Sequence, residues 1–269
     1  MLSDLASSHD PRMRGVRKHP VRVTVRFFWM AGELSLAMVD FVINVIFAPK
    51  VPLPRARALW LQQTSRRLLR VLGVEIKTRG PIPLKGLLVS NHLSYVDIMV
   101  ISSITPVVFI SKSEVKRWPV FGWFAVLGGS LFVQRNKRSD VARLNQELAQ
   151  VLDNGALVVL FPEGTSSNGR QILPFKSSLL EPVASLEHPV SAACISYSLD
   201  DGDPGIDVCY WGDMTLAPHL LNLFSKPRIG ARVAFSQLEP SSNSRKELAR
   251  DLHSHMVQLK DARPSPVVA

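Results

Sequence analysis

Cysteine is scarce. Cys194 and Cys209 are the only two in 269 residues, and both lie in apolar, strand-like runs. They read as buried thiols of a reducing compartment, not as the disulfide framework of a secreted domain. No cysteine or histidine spacing matches a metal site. His253 and His255 stand two apart in a charged terminal stretch and read as solvated, so no metal is expected. Aromatic residues make up 7% of the chain. No basic recognition helix or stacking motif accompanies them, which excludes the known nucleic-acid modules and nucleic acid as a partner. A secretory signal is also missing, because the first apolar run starts late and lacks a small-residue cleavage pattern. There is no internal repeat and no clear second domain.

Positive charge is what the chain has in excess. Lys and Arg outnumber Asp and Glu by 32 to 22, a formal net charge of +10, which implies an anionic partner. A membrane surface fits best, given the long apolar N-terminal segment. Residues 1–26 are polar and basic, with Arg12, Arg14, Arg17, Lys18, Arg22 and Arg26, and read as a flexible arm. Phe27 to Ala48 is long enough to span a bilayer. Glu33, Asp40 and Asn44 share one of its helical faces, and both flanks are basic, which favours an in-plane helix over a span. A core helix of a soluble bundle remains the alternative. Pro49, Pro52 and Pro54 end the segment. A second helix, Arg55 to Leu72, sets a Leu61/Leu68/Leu72 seam against Arg66, Arg67 and Arg70. Such a helix suits an anionic lipid surface or, more plainly, a solvated face.

From Val74 onward strands and helices alternate. Strands are predicted at Val74–Lys77, Leu87–Val89, Val107–Ile110, Ser130–Val133, Leu157–Phe161, Val190–Ser196, Ile206–Trp211 and Arg228–Phe235. Helices are predicted at Asp97–Ser102, Ser139–Leu152, near Lys176–Leu186 and at Ser244–Lys260, with mixed helix over Ser113–Gly128. This pattern predicts an α/β fold: a mixed, largely parallel sheet covered by helices, behind an N-terminal membrane-associated helical pair. The organisation read from it is a basic arm (1–26), the helical pair (27–72), one catalytic-type domain (73–260) and a disordered tail (261–269).

The chain is organised around Val89 to Asp97, where a strand ends in a polar turn and a helix begins. His92 lies on that turn, the only histidine in the central part of the chain, and Asp97 follows five residues later. Five residues in a straight helix turn roughly 140°, which would point the pair apart. The two can meet only if His92 precedes the first helical turn and Asp97 lies within it. Met in that way, the Asp orients the imidazole and the His accepts a proton from a hydroxyl. A surface turn with an incidental histidine has the same composition.

Two further stretches could carry chemistry. Arg135 closes the strand Phe132-Val133-Gln134 and is followed by Lys137 and Arg138; it is either a bidentate phosphate ligand or part of a solvated basic loop. Phe161 to Gly169 is a Gly/Ser-rich turn after an apolar strand, and its backbone can approach a phosphate. The aromatic stretch Trp118–Leu127 reads as core, with an acyl-chain contact or a membrane-facing flap as the alternative.

Together these stretches resemble the glycerolipid acyltransferase family, the lysophosphatidic acid acyltransferases, over roughly residues 75–235. Asn91-His92…Asp97 is similar to its first motif, Phe132-Val133-Gln134-Arg135 to the second and Phe161-Pro162-Glu163-Gly164-Thr165 to the third. The resemblance implies that His92 and Asp97 are catalytic. It assigns Arg135, Glu163, Gly164, Thr165, Ser166 and Lys176 to acceptor binding, with Glu163 holding the loop in shape. The implied reaction is attack of a lysolipid hydroxyl on an acyl-CoA or acyl-carrier-protein thioester, these being co-substrates, with no cofactor and no Cys or Ser nucleophile. Backbone N–H groups near Gly164 are the expected oxyanion donors. The expected partners are membrane lipid, a lysophospholipid and the acyl carrier, at the cytoplasmic face of a bacterial inner membrane. Lysophosphatidic acid is the default acceptor. The family often has Arg after the Thr, where this chain has Ser166, which brings in another lysolipid such as lyso-ornithine lipid. Ala192 stands where the fourth motif's central Pro is expected. A lipid ester hydrolase or a non-catalytic membrane protein would share parts of this pattern.

Overall fold

The structure is a computed structural model that describes residues 13–134, 138–180, 188–238 and 244–262. Helix α1 (Met13–Lys18) and the long helix α2 (Pro20–Phe41) open it, α2 continuing as a π-helical segment, Val42–Phe47. Pro20 occupies the first helical position, where its fixed φ suits the turn and its missing N–H costs nothing. The basic stretch expected as a flexible arm is therefore helical from Met13 onward. Helix α3 (Leu53–Leu72) ends at Gly73, whose φ of 71° closes the helix in the left-handed conformation.

The α/β body follows. It comprises β1 (Val74–Arg79), β2 (Gly86–Ser90), α4 (Val96–Ile104), β3 (Val108–Lys112), α5 (Phe121–Leu127), β4 (Leu131–Val133) and α6 (Arg138–Asp153). After these come β5 (Leu157–Leu160), α7 (Ser177–Leu180), β6 (Val190–Leu199), α8 (Pro204–Asp207), α9 (Leu216–Ser225), β7 (Ile229–Leu238) and α10 (Arg245–Asp261). Seven strands form one sheet in the order β1-β7-β6-β2-β5-β3-β4. Every pair is parallel except β6 with β7, as expected for a mixed, largely parallel sheet. Alternation along β2 sends Leu88 to one face, with α2, α3, α4 and α9, and Leu87 and Val89 to the other, with α6, α7 and α10. Ala192 pairs with Val89 on one side and Ser236 on the other. A proline there would remove a ladder donor from a central strand.

Two expectations fail in the body. No strand forms over Ile206–Trp211. Asp203 accepts a hydrogen bond from Gly205 N at 2.7 Å and Pro204 starts α8 instead, a capping signal that outweighs the short apolar run. Helix α9 was not anticipated. Its Pro218 sits in the first turn, where a proline does not break a helix.

The N-terminal helices also differ from expectation, and electrostatics explains why. The carboxylates of α2 face the next helix. Arg67 of α3 is 2.6 Å from Asp40 and 3.6 Å from Glu33, and all three side chains are largely covered. Asn44 lies past the point where α2 widens and is exposed. Likewise α3 is not a free basic face: Arg66 donates to Ser103 O at 2.7 Å, and eleven of the helix's residues are buried, Trp60, Leu68 and Leu72 among them. Trp60 donates to Ala37 O at 2.8 Å and packs edge-on against Phe41. Truncating a buried Trp of this kind to Ala costs about 3–5 kcal/mol.

The expected arm's basic residues are also engaged. Arg22 donates to Ser225 O at 2.7 Å. Arg26 donates to the carbonyls of Phe224, Lys226 and Pro227. The carbonyls of Phe224 and Ser225 are orphan acceptors at the C-terminal end of α9, where cations are favoured, and those of Lys226 and Pro227 follow directly. What α2 leaves outside is an apolar side: Phe28, Val39, Ile43 and Phe47 are 67, 52, 51 and 78% exposed. Pro20–Phe47 is long and apolar enough to cross a membrane.

Candidate active site

Strand β2 ends in the centre of the sheet, between β6 and β5. There the backbone ladder is replaced by a side chain. Asn91 Nδ2 donates to Ile195 O at 3.0 Å, and Ile195 N donates to Asn91 Oδ1 at 2.7 Å. This clip releases the chain from the sheet, and His92 to Tyr95 form a loop before α4 begins at Val96. His92 thus precedes the first helical turn and Asp97 lies within it, the one arrangement that lets them meet. His92 Nδ1 is 2.9 Å from Asp97 Oδ2. A carboxylate only accepts, so Nδ1 carries the proton and Nε2 is left with its lone pair. The imidazole lies over the Phe161 ring at 4.3 Å and is partly exposed.

Asp97 is fully buried and receives four donors among the described residues. Besides His92, Oδ2 accepts from Leu93 N at 2.6 Å and Ser94 N at 2.9 Å. Oδ1 accepts from the hydroxyl of Tyr197 on β6 at 2.6 Å. Tyr197 escaped the sequence reading, since it lies 100 residues from Asp97 and nothing local distinguishes it from a packing tyrosine.

The loop after β5 comes alongside. Ser167 N donates to His92 O at 3.0 Å, Tyr210 N to Leu93 O at 2.8 Å, and Ser166 Oγ to Tyr210 O at 2.5 Å. The first and third motifs, some seventy positions apart, therefore share one hydrogen-bonded layer. Gly164, at φ 71°, makes the turn and gives its N–H to Phe161 O at 3.2 Å. That donor is thereby taken, which leaves other backbone N–H groups near Gly164 as the candidates for the oxyanion. Thr165 and Lys176 are exposed, and Lys176 N donates to Pro162 O at 2.9 Å. Ser166 is turned to the backbone of Tyr210. Arg135 lies outside the described residues.

Glu163 is buried, and neither carboxyl oxygen has a hydrogen-bond partner among the described residues. Desolvation pushes its carboxyl up to about 8. The backbone N–H groups of His92 and Leu173 pull it down without closing a bond of ordinary geometry, and the Asp97 charge pushes it up further. A carboxyl raised to about 8 favours its neutral form at pH 7.

Cys209, distant in sequence from the first three motifs, is close to the third in space. A side chain on Gly169 would come within 3.8 Å of Cys209 Sγ. Burial raises the Cys209 thiol to about 12 and Cys194 to about 11, with the Asp97 charge adding to the rise at Cys209. Neither supplies a thiolate. His253 is half-buried rather than solvated, packed edge-on against Phe175 and 3.3 Å from Ile172 O. The aromatic stretch divides: Phe121 packs against Tyr95 and Phe124 stacks on Trp60, while Trp123 is 64% exposed.

Comparison with known proteins agrees with this geometry. The family model described as Acyltransferase matches residues 73–196. The lyso-ornithine lipid O-acyltransferase of Brucella abortus is 36% identical over 212 residues, covering 72% of this chain and 79% of that protein. The 1-acyl-sn-glycerol-3-phosphate acyltransferase of Neisseria meningitidis is 32% identical over 170 residues, covering 59% and 67%. The crystal structure of the 1-acyl-sn-glycerophosphate acyltransferase from Thermotoga maritima superposes with a TM-score of 0.61 at 19% identity, over 93% of this chain and 99% of that one. At that identity the likeness concerns the fold.

Proposed function

The chain belongs to the glycerolipid acyltransferase family, and from that premise we propose that His92 and Asp97 transfer a fatty acyl group from a thioester to the hydroxyl of a lysolipid. The observation that carries this reading is the 2.9 Å contact that commits His92 Nδ1 to Asp97 and leaves Nε2 as the ring nitrogen to serve as base. Nε2 takes the acceptor's hydroxyl proton, and the Asp97 carboxylate stabilises the imidazolium that results. The acceptor oxygen attacks the thioester carbonyl and forms the new ester bond. The carbon–sulfur bond breaks, and the leaving thiolate collects the proton from His92. No enzyme nucleophile takes part, in keeping with two thiols held protonated by burial. The donor is acyl-CoA or acyl-carrier-protein, and the route uses no metal or cofactor.

For the acceptor we favour lyso-ornithine lipid. Relatives bearing that name share 34–36% identity with 68–72% of this chain, and Ser166 offers no cation where the family often has Arg. Lysophosphatidic acid is the second reading, favoured by Arg135 and by relatives of that name. The apolar side of α2 is the lipid contact. Changing Phe28, Val39 and Ile43 together to Glu releases full-length protein from anionic vesicles; retention would assign the contact elsewhere.

The decisive experiment offers both lysolipids to purified protein with labelled acyl-CoA and acyl-carrier-protein, with His92→Ala alongside. Acylated ornithine lipid as product supports the first reading and phosphatidic acid the second. Release of free fatty acid with neither acceptor used would replace the reading by a hydrolase, and turnover retained by His92→Ala would end the general-base role.

A further inference from the structure

We propose that Tyr197 is a positioning residue of the acyl-transfer site, holding the Asp97 charge so that His92 stays neutral and ready to accept a proton. This rests on the general-base reading of His92. The hydroxyl of Tyr197 reaches Asp97 Oδ1 from the neighbouring strand at 2.6 Å. It is the only one of the four donors that belongs neither to the His92–Asp97 loop nor to α4.

The position is built by register. Side chains alternate along β6, and Tyr197 faces the same side of the sheet as Ile195 and Leu199, the side on which α4 lies. The Asn91 clip fixes how far β2 runs along β6, and thereby sets Asp97 level with Tyr197. The hydroxyl is a dependable donor, since burial and the Asp97 carboxylate raise it well above the ordinary phenol value of 10.0.

The two carboxylate oxygens have separate duties. Oδ2 faces His92 and two backbone N–H groups, and Oδ1 faces Tyr197. A strong hydrogen bond at Oδ1 draws charge away from Oδ2 and limits how far Asp97 favours the imidazolium. Without it, His92 becomes more basic and is protonated over more of the working pH range. The other titratable groups facing the pair come from separate elements: Glu163 from the loop after β5, Cys209 from the segment after α8, and Tyr95 from the loop itself. Glu163, raised to about 8, has to be separated from His92 by experiment.

Tyr197→Phe keeps the ring and removes only the hydroxyl. In the full-length enzyme the acid limb of kcat/KM moves up by about one pH unit, and kcat at neutral pH falls about tenfold, as for loss of a hydrogen bond to a charge. The Michaelis constants for acceptor and thioester stay within about twofold of wild type, because neither substrate touches the hydroxyl. The same limb shift appears in a Glu163→Gln background, which removes the competing titration. A purely structural role would lower the melting temperature and scale all rates together, with the limb in place; that result overturns the proposal. Turnover by His92→Ala would instead withdraw the reading beneath it, so the two failures are distinguishable.

Discussion

The loop after β2 gives the Asp97 carboxylate three donors and β6 a fourth; the loop after β5, one strand away, buries Glu163 with none among the described residues. Both carboxyls are almost fully withdrawn from solvent, at 0 and 2% exposure. Burial is thus common to them, and hydrogen bonding decides their state. The surrounded group can stay ionised where an unpaired ion would be expensive. The other gives up its charge and is held as a neutral acid. Two acidic residues at adjacent strand ends are therefore fitted for different work, one to stabilise a developing imidazolium and one to fill a polar gap without adding a second negative charge.

Substitutions can break this contrast. Asp97→Asn removes the charge and keeps the shape. Nδ1 can no longer be held by a full carboxylate, and kcat drops by about three to four orders of magnitude with little change in either Michaelis constant, measured by steady-state transfer. A loss under tenfold would mean that the Asp97 charge has no part in the reaction.

Glu163→Gln goes the other way, because a neutral amide resembles a neutral acid. Transfer at pH 7 stays within about threefold of wild type, while the dependence of stability on pH changes. Glu163 is raised in the folded state from 4.5 to about 8. Its stabilising contribution is therefore complete below pH 4.5 and is lost as pH rises through 8, with a slope of about 1.4 kcal/mol per pH unit between the two. Denaturation at pH 5 and pH 8 should show wild type losing stability over this interval and Glu163→Gln losing less. Parallel curves would mean that Glu163 is ionised when folded.

Arg135→Ala tests the basic residue that follows Phe132-Val133-Gln134 in sequence. The Michaelis constant for a phosphate-bearing acceptor rises about tenfold and that for the thioester stays put; equal rises would remove Arg135 from acceptor binding. The smallest effect is expected from Ser166→Ala, which cuts one tether between the loop and Tyr210 O. It costs about 1 kcal/mol of stability in chemical denaturation, as one ordinary hydrogen bond does, and unchanged stability would mean that the tether is not formed.

The contrast between Asp97 and Glu163 also marks what could be read in advance. The spacing from His92 to Asp97, with the requirement that the histidine precede the helix, was legible because it depends on a few consecutive residues. The alternation that built the sheet was legible for the same reason. Tyr197 was not, because its role arises from the register of β6 against β2. Glu163 was located, but the depth of its burial was not legible, since it comes from distant segments. Glu33 and Asp40 were read as the polar stripe of an in-plane helix; that Arg67 on the next helix pairs with them was not legible, because a pairing between helices leaves no trace in a single periodicity. Trp118–Leu127 was neither wholly core nor wholly flap, because a seven-residue helix has two sides.

Arg22 and Arg26 grip the end of α9, and Gly73 O accepts from Ile229 N at the start of β7 at 3.0 Å. The apolar helix is in this way fastened to the body that carries His92. For an enzyme resting on lipid through that helix, the height of the reactive imidazole above the acyl chains is a fixed dimension of the molecule. Such an enzyme scoots from one lysolipid to the next without leaving the surface. Its saturation is then governed by the mole fraction of lysolipid within the interface, and diluting that lipid with inert lipid slows turnover even at constant bulk concentration.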